Sequence, residues 1–310
     1  MMNVLSRGVF FPLFLAVCTL GAWLAMTPTD ALAEEKSASK KKIVFVAGKP
    51  SHPKGEHEHR AGCLLLADHL NKSGLPVEAV VVTDGWPQDA SVFDGASAVV
   101  IYSDGGNGHP ALRQLQVMRS MMQKGIGIGC IHYAVEVPAG EAGDTMLDGI
   151  GGYFEMNWSV NPHWDAKFTL PEHEISRGIR SFNIRDEWYY HMRFRKEMEG
   201  VQPILSDLPP KDTLSRRDGP HSGNPHVRAA VLEREETQHV MWAYDRPKSL
   251  GGGRGFGFTG GHFHKNWQHD DHRRVVLNAI TWISGLEVPT GGVPSPTPDD
   301  VTMKANLDVK

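Results

Sequence analysis

GIGIGCIHYAVEVP, residues 125–138, reads as a strand buried on both faces that stops on an imidazole. Small and apolar residues run to Ile131, and His132 and Tyr133 then arrive before Ala134. A continuous apolar run with no polar alternation belongs to a sheet covered by helices on both sides. KKIVFVAG (41–48), PVEAVVVTDG (76–85) and SAVVIYSDGG (97–106) share the pattern. Between these runs lie two helical patterns. HRAGCLLLADHLNKSG (59–74) closes on Gly74 as its C-cap, and PALRQLQVMRSMMQKG (110–125) has Pro110 in its first turn and Gly125 past its end. Alternating strands and helices predict an α/β fold, a mostly parallel sheet in a three-layer sandwich. The sheet is expected to resume at QHVMWAYD (238–245) and GRGFGFTGG (253–261), and DDHRRVVLNAITWISG (270–285) reads as a closing helix that starts near Asp270 or Asp271.

Outside this domain, expected over residues 43–287, the flanks read differently. Arg7 precedes the apolar run GVFFPLFLAVCTLGAWLAM (8–26), and Ala31-Leu32-Ala33 follows as a small-x-small cleavage site. Residues 1–33 therefore read as a secretory signal peptide, with an exported periplasmic or extracellular protein as its consequence. An uncleaved membrane anchor is the alternative, since the run is nearly long enough to span a bilayer. Residues 34–42, EEKSASKKK, form a charged linker, and 288–310, with PTGGVPSPTPDD, a Pro-rich extended tail. The middle of the chain, about 150–235, is an irregular, aromatic-rich insertion, and so much loop inside a compact domain signals function or insertion.

Charge and cysteine content narrow the partners. The 36 acidic and 32 basic residues nearly cancel, and no basic patch is interleaved with aromatics, so nucleic acid is not expected as a partner. Past the signal only Cys63 and Cys130 remain, both in apolar runs, and they read as buried thiols rather than a disulfide framework. GGGRGFGFTGG (251–261) lacks the strand-then-helix context of a nucleotide fingerprint, so neither nucleotide nor flavin is expected. SDGGNGHP (103–110), glycine-rich after a strand, could cradle an anion, but reads rather as a plain βα turn. An oligomer is left open.

The 16 histidines all lie beyond residue 51. In an open parallel sheet ligands bind beyond the carboxyl ends of the strands, and three histidine groups fall there. His52, His57 and His59 follow the first strand, His132 ends the fourth, and His262 and His264 follow GFGFTGG. Taken singly, each could bond backbone or sit in solvent; together they predict one cavity. Clustered imidazoles suit a divalent metal, zinc foremost, or metal-free proton transfer, and the sequence leaves both open. The metal set would be His52, His57, His59, His132 and His262. Glu136 and Glu187 are the acid/base candidates beside His132 and His264. In NIRDEWYYHMRF (183–194), Asp186, Trp188, Tyr189 and His191 resemble a sugar subsite, with a strand burying Trp and Tyr in the core as the alternative. GPHSGNPHVR (219–228), with His221 and Asn224, is too polar for core and reads as a binding loop or a solvated excursion.

The chain resembles the ThuA-like (trehalose-utilisation) family, a branch of the flavodoxin-like, class I glutamine-amidotransferase-like folds, and in particular its secreted planctomycete-type members. KIVFVAGKPSHPKGEHEHRAG, GIGCIHYAVEVP, GGYFEMNWSVNPHW, DEWYYHMRF and GFGFTGGHFHKNW carry the resemblance. Laid on the amidotransferase elbow, GIGCIHYA puts His132 at the nucleophile position and Cys130 two residues earlier, inside the strand. His264 or His262 falls where the amidotransferase histidine stands, and Asn266 where a glutamate completes the triad. Glutamine hydrolysis is therefore not expected. The family name implies, by analogy, a small sugar or keto-sugar as the substrate or ligand.

These readings predict an enzyme acting on a glycoside or keto-sugar by hydrolysis, elimination or isomerisation. Tyr133, Trp188 and Tyr189 would hold the sugar. A non-catalytic carbohydrate-binding protein and an interaction module of an envelope complex are the alternatives.

Overall fold

A computed structural model describes Pro12 and residues 39–309. Apart from Pro12, the expected signal peptide and the linker up to residue 38 lie outside the described residues. Among the described residues no helix is long and apolar enough to cross a membrane.

The first half of the chain alternates as its hydrophobic pattern requires. β1 (Lys41–Ala47), α1 (His59–Lys72), β2 (Val77–Val82), β3 (Ala96–Tyr102), α2 (Leu115–Gln123), β4 (Gly127–Ile131) and α3 (Glu141–Ile150) follow in order. The middle carries β5 (Gly152–Tyr153), β6 (His163–Phe168), β7 (Phe182–Glu187), β8 (Arg193–Phe194), β9 (Val201–Asp207) and the one-turn α4 (Pro225–Arg228). β10 (Gln238–Asp245), β11 (Arg254–Phe258), α5 (Asp270–Ile283) and the short α6 (Asp300–Lys304) complete it.

Seven strands form the central sheet in the order β2-β1-β3-β4-β11-β10-β9. β2, β1, β3, β4 and β11 are mutually parallel, and β10 runs antiparallel to both of its neighbours. This is the expected α/β, flavodoxin-like sandwich. Successive β1 side chains divide the two layers: Ile43, Phe45 and Ala47 pack with the residues of α1 and α5, and Val44 and Val46 with those of α2 and α3. Both faces are covered, so the strands can be apolar throughout.

The aromatic-rich middle is more regular than its sequence suggests. β6 and β7 pair antiparallel from His163↔Glu187 to Phe168↔Phe182, and β6 alternates exposed and buried along HWDAKF. That period of two places Trp164, Ala166 and Phe168 in the core. The Pro-rich segment after Val288 is held against the body. Val288 and Val293 are fully buried, the Val293 amide donates to Asn278, and the Arg273 guanidinium donates to Ser295 and Pro296.

His272 on α5 is fully buried among Trp188, Phe258 and Trp267, and neither ring nitrogen has a hydrogen-bond partner among the described residues. Burial, with the nearby His269 and Arg273, pushes its pKa down to about 3. The folded-state value lies below the unfolded one, so the unfolded chain takes up a proton that the folded chain refuses. Stability is full above about pH 6.5 and falls as pH drops towards 3, by up to about 1.4 kcal/mol per unit. In denaturant titrations at pH 6.5 and 4.5, His272→Leu should lose about 2 kcal/mol less than the parent chain. Equal losses would show that this ring does not set the acid sensitivity.

Candidate functional site

The segments that follow the parallel strands meet at one rim. His57 lies in the loop after β1, Asp104 after β3, His132 after β4 and His262 after β11, while β7 brings Glu187 from the side. Two local ties close the arrangement. Glu56 bridges Phe263, and the His57 amide donates to the His262 carbonyl at 3.0 Å, joining the first loop to the last. β4 ends in an elbow where His132 adopts φ +57°, a left-handed conformation that turns the side chain sharply off the strand. His57 and His52 also have positive φ, 47° and 56°.

Ring nitrogens of His57, His132 and His262 and a Glu187 carboxylate oxygen lie within 4.8 Å of one another. His57 Nε2 is 3.1 Å from His132 Nε2 and 3.0 Å from His262 Nδ1. Glu187 Oε2 is 3.1 Å from His262 Nδ1 and 3.6 Å from His132 Nε2. Their outer partners decide which atoms carry protons. The Thr259 carbonyl, 2.8 Å from His132 Nδ1, can only accept, so Nδ1 carries the hydrogen and Nε2 is a bare lone pair. The Asp104 carboxylate, 2.8 Å from His57 Nδ1, does the same for His57. Two lone pairs then face each other and cannot bond each other. A shared cation would satisfy both, as would donors from the Tyr189 hydroxyl at 3.3 Å and His262 Nδ1 at 3.0 Å. Four of the six donor pairs are 3.0–3.6 Å apart and all lie within 4.8 Å, close enough for one ion to reach every donor. The donor set and its carbonyl and carboxylate braces fit a divalent metal.

The electrostatics favour the neutral imidazole at His57 and His132 and the charged one at His262. Burial, then the neighbouring His57 and His262, push His132 well below the usual histidine value. Burial also lowers His57, outweighing its bond to Asp104. For His262 burial acts downward too, but the bond and charge of Glu187 reverse the sign and raise it. Asp104 falls to about 2, because its bonds to His57 and Ser51 outweigh the upward effect of burial.

Other expected site residues fall around or away from this centre. His52 stacks on His57 with ring centres 3.5 Å apart and lies 3.7 Å from Asp104, at the margin. His59 is fully buried, bonds the Lys49 carbonyl and braces Asp104 from 3.7 Å rather than facing the centre. His264 does not join the cluster, because its Nε2 pairs with the Met303 carbonyl of the C-terminal segment. Of the two late histidines the site takes His262. Tyr189 reaches both His132 Nε2 and Glu187 at 3.3 Å. Tyr133 is half-buried, with its ring centre 6.0 Å from that of His57.

Glu136 is buried and receives His221 Nε2 at 3.0 and 3.1 Å, so the loop around His221 does reach the rim. That bond raises the His221 pKa against the opposing effect of burial. Trp188 has no face for a sugar: it is fully buried between Phe168 and Phe258, with Nε1 donating to Ile184. Asp186 is fully buried and accepts from the Gly261 and His262 amides at 2.8 and 3.1 Å, which makes it a positioning group rather than a ligand contact. His191 stacks on Trp158 and bonds its carbonyl, and Asn224 caps α4 and bonds the same carbonyl. Both are structural, away from the cluster. Cys130 is fully buried inside β4, and burial pushes its thiol up, so it is no nucleophile.

Asp104 and Thr259 went unnoticed in the sequence, as did His163, whose Nε2 lies 3.7 Å from Glu187 Oε1. Asp104 had a signal, since it stands at a strand end on the same rim. Beside the centre a groove of about 450 Å³ is lined by Asn161, His163, Glu187, Asp212, Ser215 and Arg216, among others.

Similar proteins agree with this architecture. No curated protein matches the sequence significantly. Among solved structures, a ThuA-like protein from Parabacteroides merdae superimposes with a TM-score of 0.54 at 14% identity, covering 81% of this chain and 92% of that one. A ThuA-like protein from Bacteroides uniformis gives 0.52 at 15% identity, over 81% and 94%. A glutamine amidotransferase from Thermotoga maritima gives 0.40 at 9% identity, over 80% and 95%. At such identities the two ThuA-like structures show a likeness of fold alone. The sequence itself carries the assignment: residues 44–283, from β1 through α5, match the family described as ThuA, trehalose utilisation, and the chain belongs to that family.

Proposed function

We propose that this chain is an enzyme that holds one divalent transition metal, zinc foremost, through His57, His132, His262 and Glu187, and acts on a sugar or keto-sugar. The observation that carries the metal is the convergence of three imidazole nitrogens and a carboxylate oxygen, with the lone pairs of His57 and His132 already turned inward by Asp104 and Thr259. The sugar class rests on the family description and on the polar groove beside Glu187. Export remains part of the proposal and rests on residues 1–33 alone.

Bound there, such an ion supplies Lewis acidity to a carbonyl, hydroxyl or water oxygen. The chain's own groups do the rest. Asn161, Asp212, Ser215 and Arg216 offer donors and acceptors to hydroxyls in the groove. Glu187, only 13% exposed, has its Oε1 towards His163 at the groove wall and is placed to accept a proton there. Tyr189, 3.3 Å from Glu187 Oε2, is placed to donate one. His221, its charged form favoured by Glu136, supplies a second acid from the loop side.

The test is product analysis on a panel of glycosides and keto-glycosides, with metal-loaded and chelator-treated protein. Turnover should fall at least about 100-fold on chelation and return with zinc. Binding without any product would favour the carbohydrate-binding alternative. Indifference to chelation would remove the metal.

A further inference from the structure

A second cavity shares Asp104 with the histidine centre. Strand order reverses between β1 and β3, because the chain leaves β1 through α1 on one face and β3 through α2 on the other. The loops diverge there and leave a crevice at the carboxyl ends of the strands, where open α/β sheets bind ligands. The crevice measures about 570 Å³, within the roughly 300–1,000 Å³ of small-molecule sites. Gly48 keeps its floor narrow: a Cβ there would lie 2.7 Å from Ser103 Cα. The Gly85 amide donates to the Ala47 carbonyl at 2.8 Å, which pins the turn after β2 and sets Asp84 and Trp86 on the crevice wall.

The lining chooses among ligand classes. Lys49, Arg113, Asp84 and Asp104 all line the same crevice. Two carboxylates disfavour an anion and two cations disfavour a cation. Acceptors, donors and the Asn107 amide together suit neighbouring hydroxyl groups, each of which both donates and accepts. Trp86, half-buried with its ring 5.1 Å from that of Phe93, adds a rigid apolar wall. We infer that this crevice is a second binding site, for a neutral sugar or similar polyol. Asp104 joins it to the histidine centre. Its carboxylate lines the crevice and also accepts from His57 Nδ1 at 2.8 Å, so a hydroxyl bound to Asp104 acts on the group that orients His57. The ligand class rests on the carbohydrate reading above, but the site itself needs no metal.

Calorimetric titration of the full chain with glucose, trehalose and inorganic phosphate tests the inference, with metal content measured on the same samples. Binding of a sugar at millimolar concentration is expected, weakened at least tenfold by Trp86→Ala and also by Asn107→Ala, an exposed change that leaves folding intact. Metal content should be the same in both variants. Sugar affinity unaffected by both substitutions, no sugar binding in the parent chain, or phosphate binding in place of sugar would each overturn it. Metal-free protein that still binds sugar through Trp86 would remove the metal centre and leave this site standing. Metal-loaded protein without Trp86-dependent binding would do the reverse.

Discussion

If the proposed centre holds a divalent metal, replacing His132 by alanine is expected to leave a folded protein that no longer retains it. His132 supplies one of four converging donors from the elbow after β4, and its ring is held by a 2.8 Å bond to the Thr259 carbonyl. Losing even an outer brace typically costs 10- to 100-fold in metal affinity, so losing a donor should exceed about 100-fold. Stability should change less. Histidine already bears the strain of φ +57°, which alanine, also carrying a Cβ, leaves nearly unchanged, and the substitution removes a buried imidazole that desolvation holds neutral. His132→Asn separates the two effects, because asparagine tolerates left-handed backbone yet is too short to replace the imidazole donor. Both variants, purified without a tag and assayed for bound metal and zinc affinity, should be apo at concentrations that load the parent chain. Stoichiometric metal in either would refute the donor assignment.

Asp186→Ala should instead strike the fold. The carboxylate is fully buried and accepts four hydrogen bonds, from the Glu187, Gly261 and His262 amides and the Asn266 side chain, at 2.8–3.1 Å. Burial raises its pKa, against the downward pull of those donors. Alanine would strand all four donors in a dry interior, at about 1–3 kcal/mol each. A net loss of at least about 4 kcal/mol is expected, or a melting temperature lower by roughly 8–16 °C for a domain of this size. Asp186→Asn keeps one acceptor oxygen and should cost about half as much. Because two of the donors flank the turn that aims His262, metal affinity should drop about tenfold or more even in the asparagine variant. Unchanged melting in Asp186→Ala would show that the 260–262 turn holds itself.

Asp186 also shows where sequence reasoning stops. An acid beside Trp188, Tyr189 and Tyr190 has the composition of a sugar subsite, and composition cannot say which way a side chain turns. The pairing of β6 with β7 decides it: Asp186 and Trp188 point inward, one to the turn after β11 and the other into the core. Glu187 and Tyr189, on the opposite side, face the histidines. A strand alternates sides with each residue, so three neighbouring candidates were bound to separate. His262 and His264 parted in a similar way, one to the centre and one to the Met303 carbonyl.

Local pattern alone determined the parallel sheet, the helices on both its faces, and the strand ends at which histidines would gather. Apolar runs, glycine caps and a buried strand ending at His132 are short-range signals, legible one segment at a time. Tertiary structure decided which histidines meet, which oxygen fixes each tautomer, and that Asp104 and Thr259 belong to the centre at all. Those facts depend on contacts between segments up to 205 residues apart, as between His57 and His262. No periodicity within a segment encodes them, because they arise only when the sheet order brings separate loops to one rim.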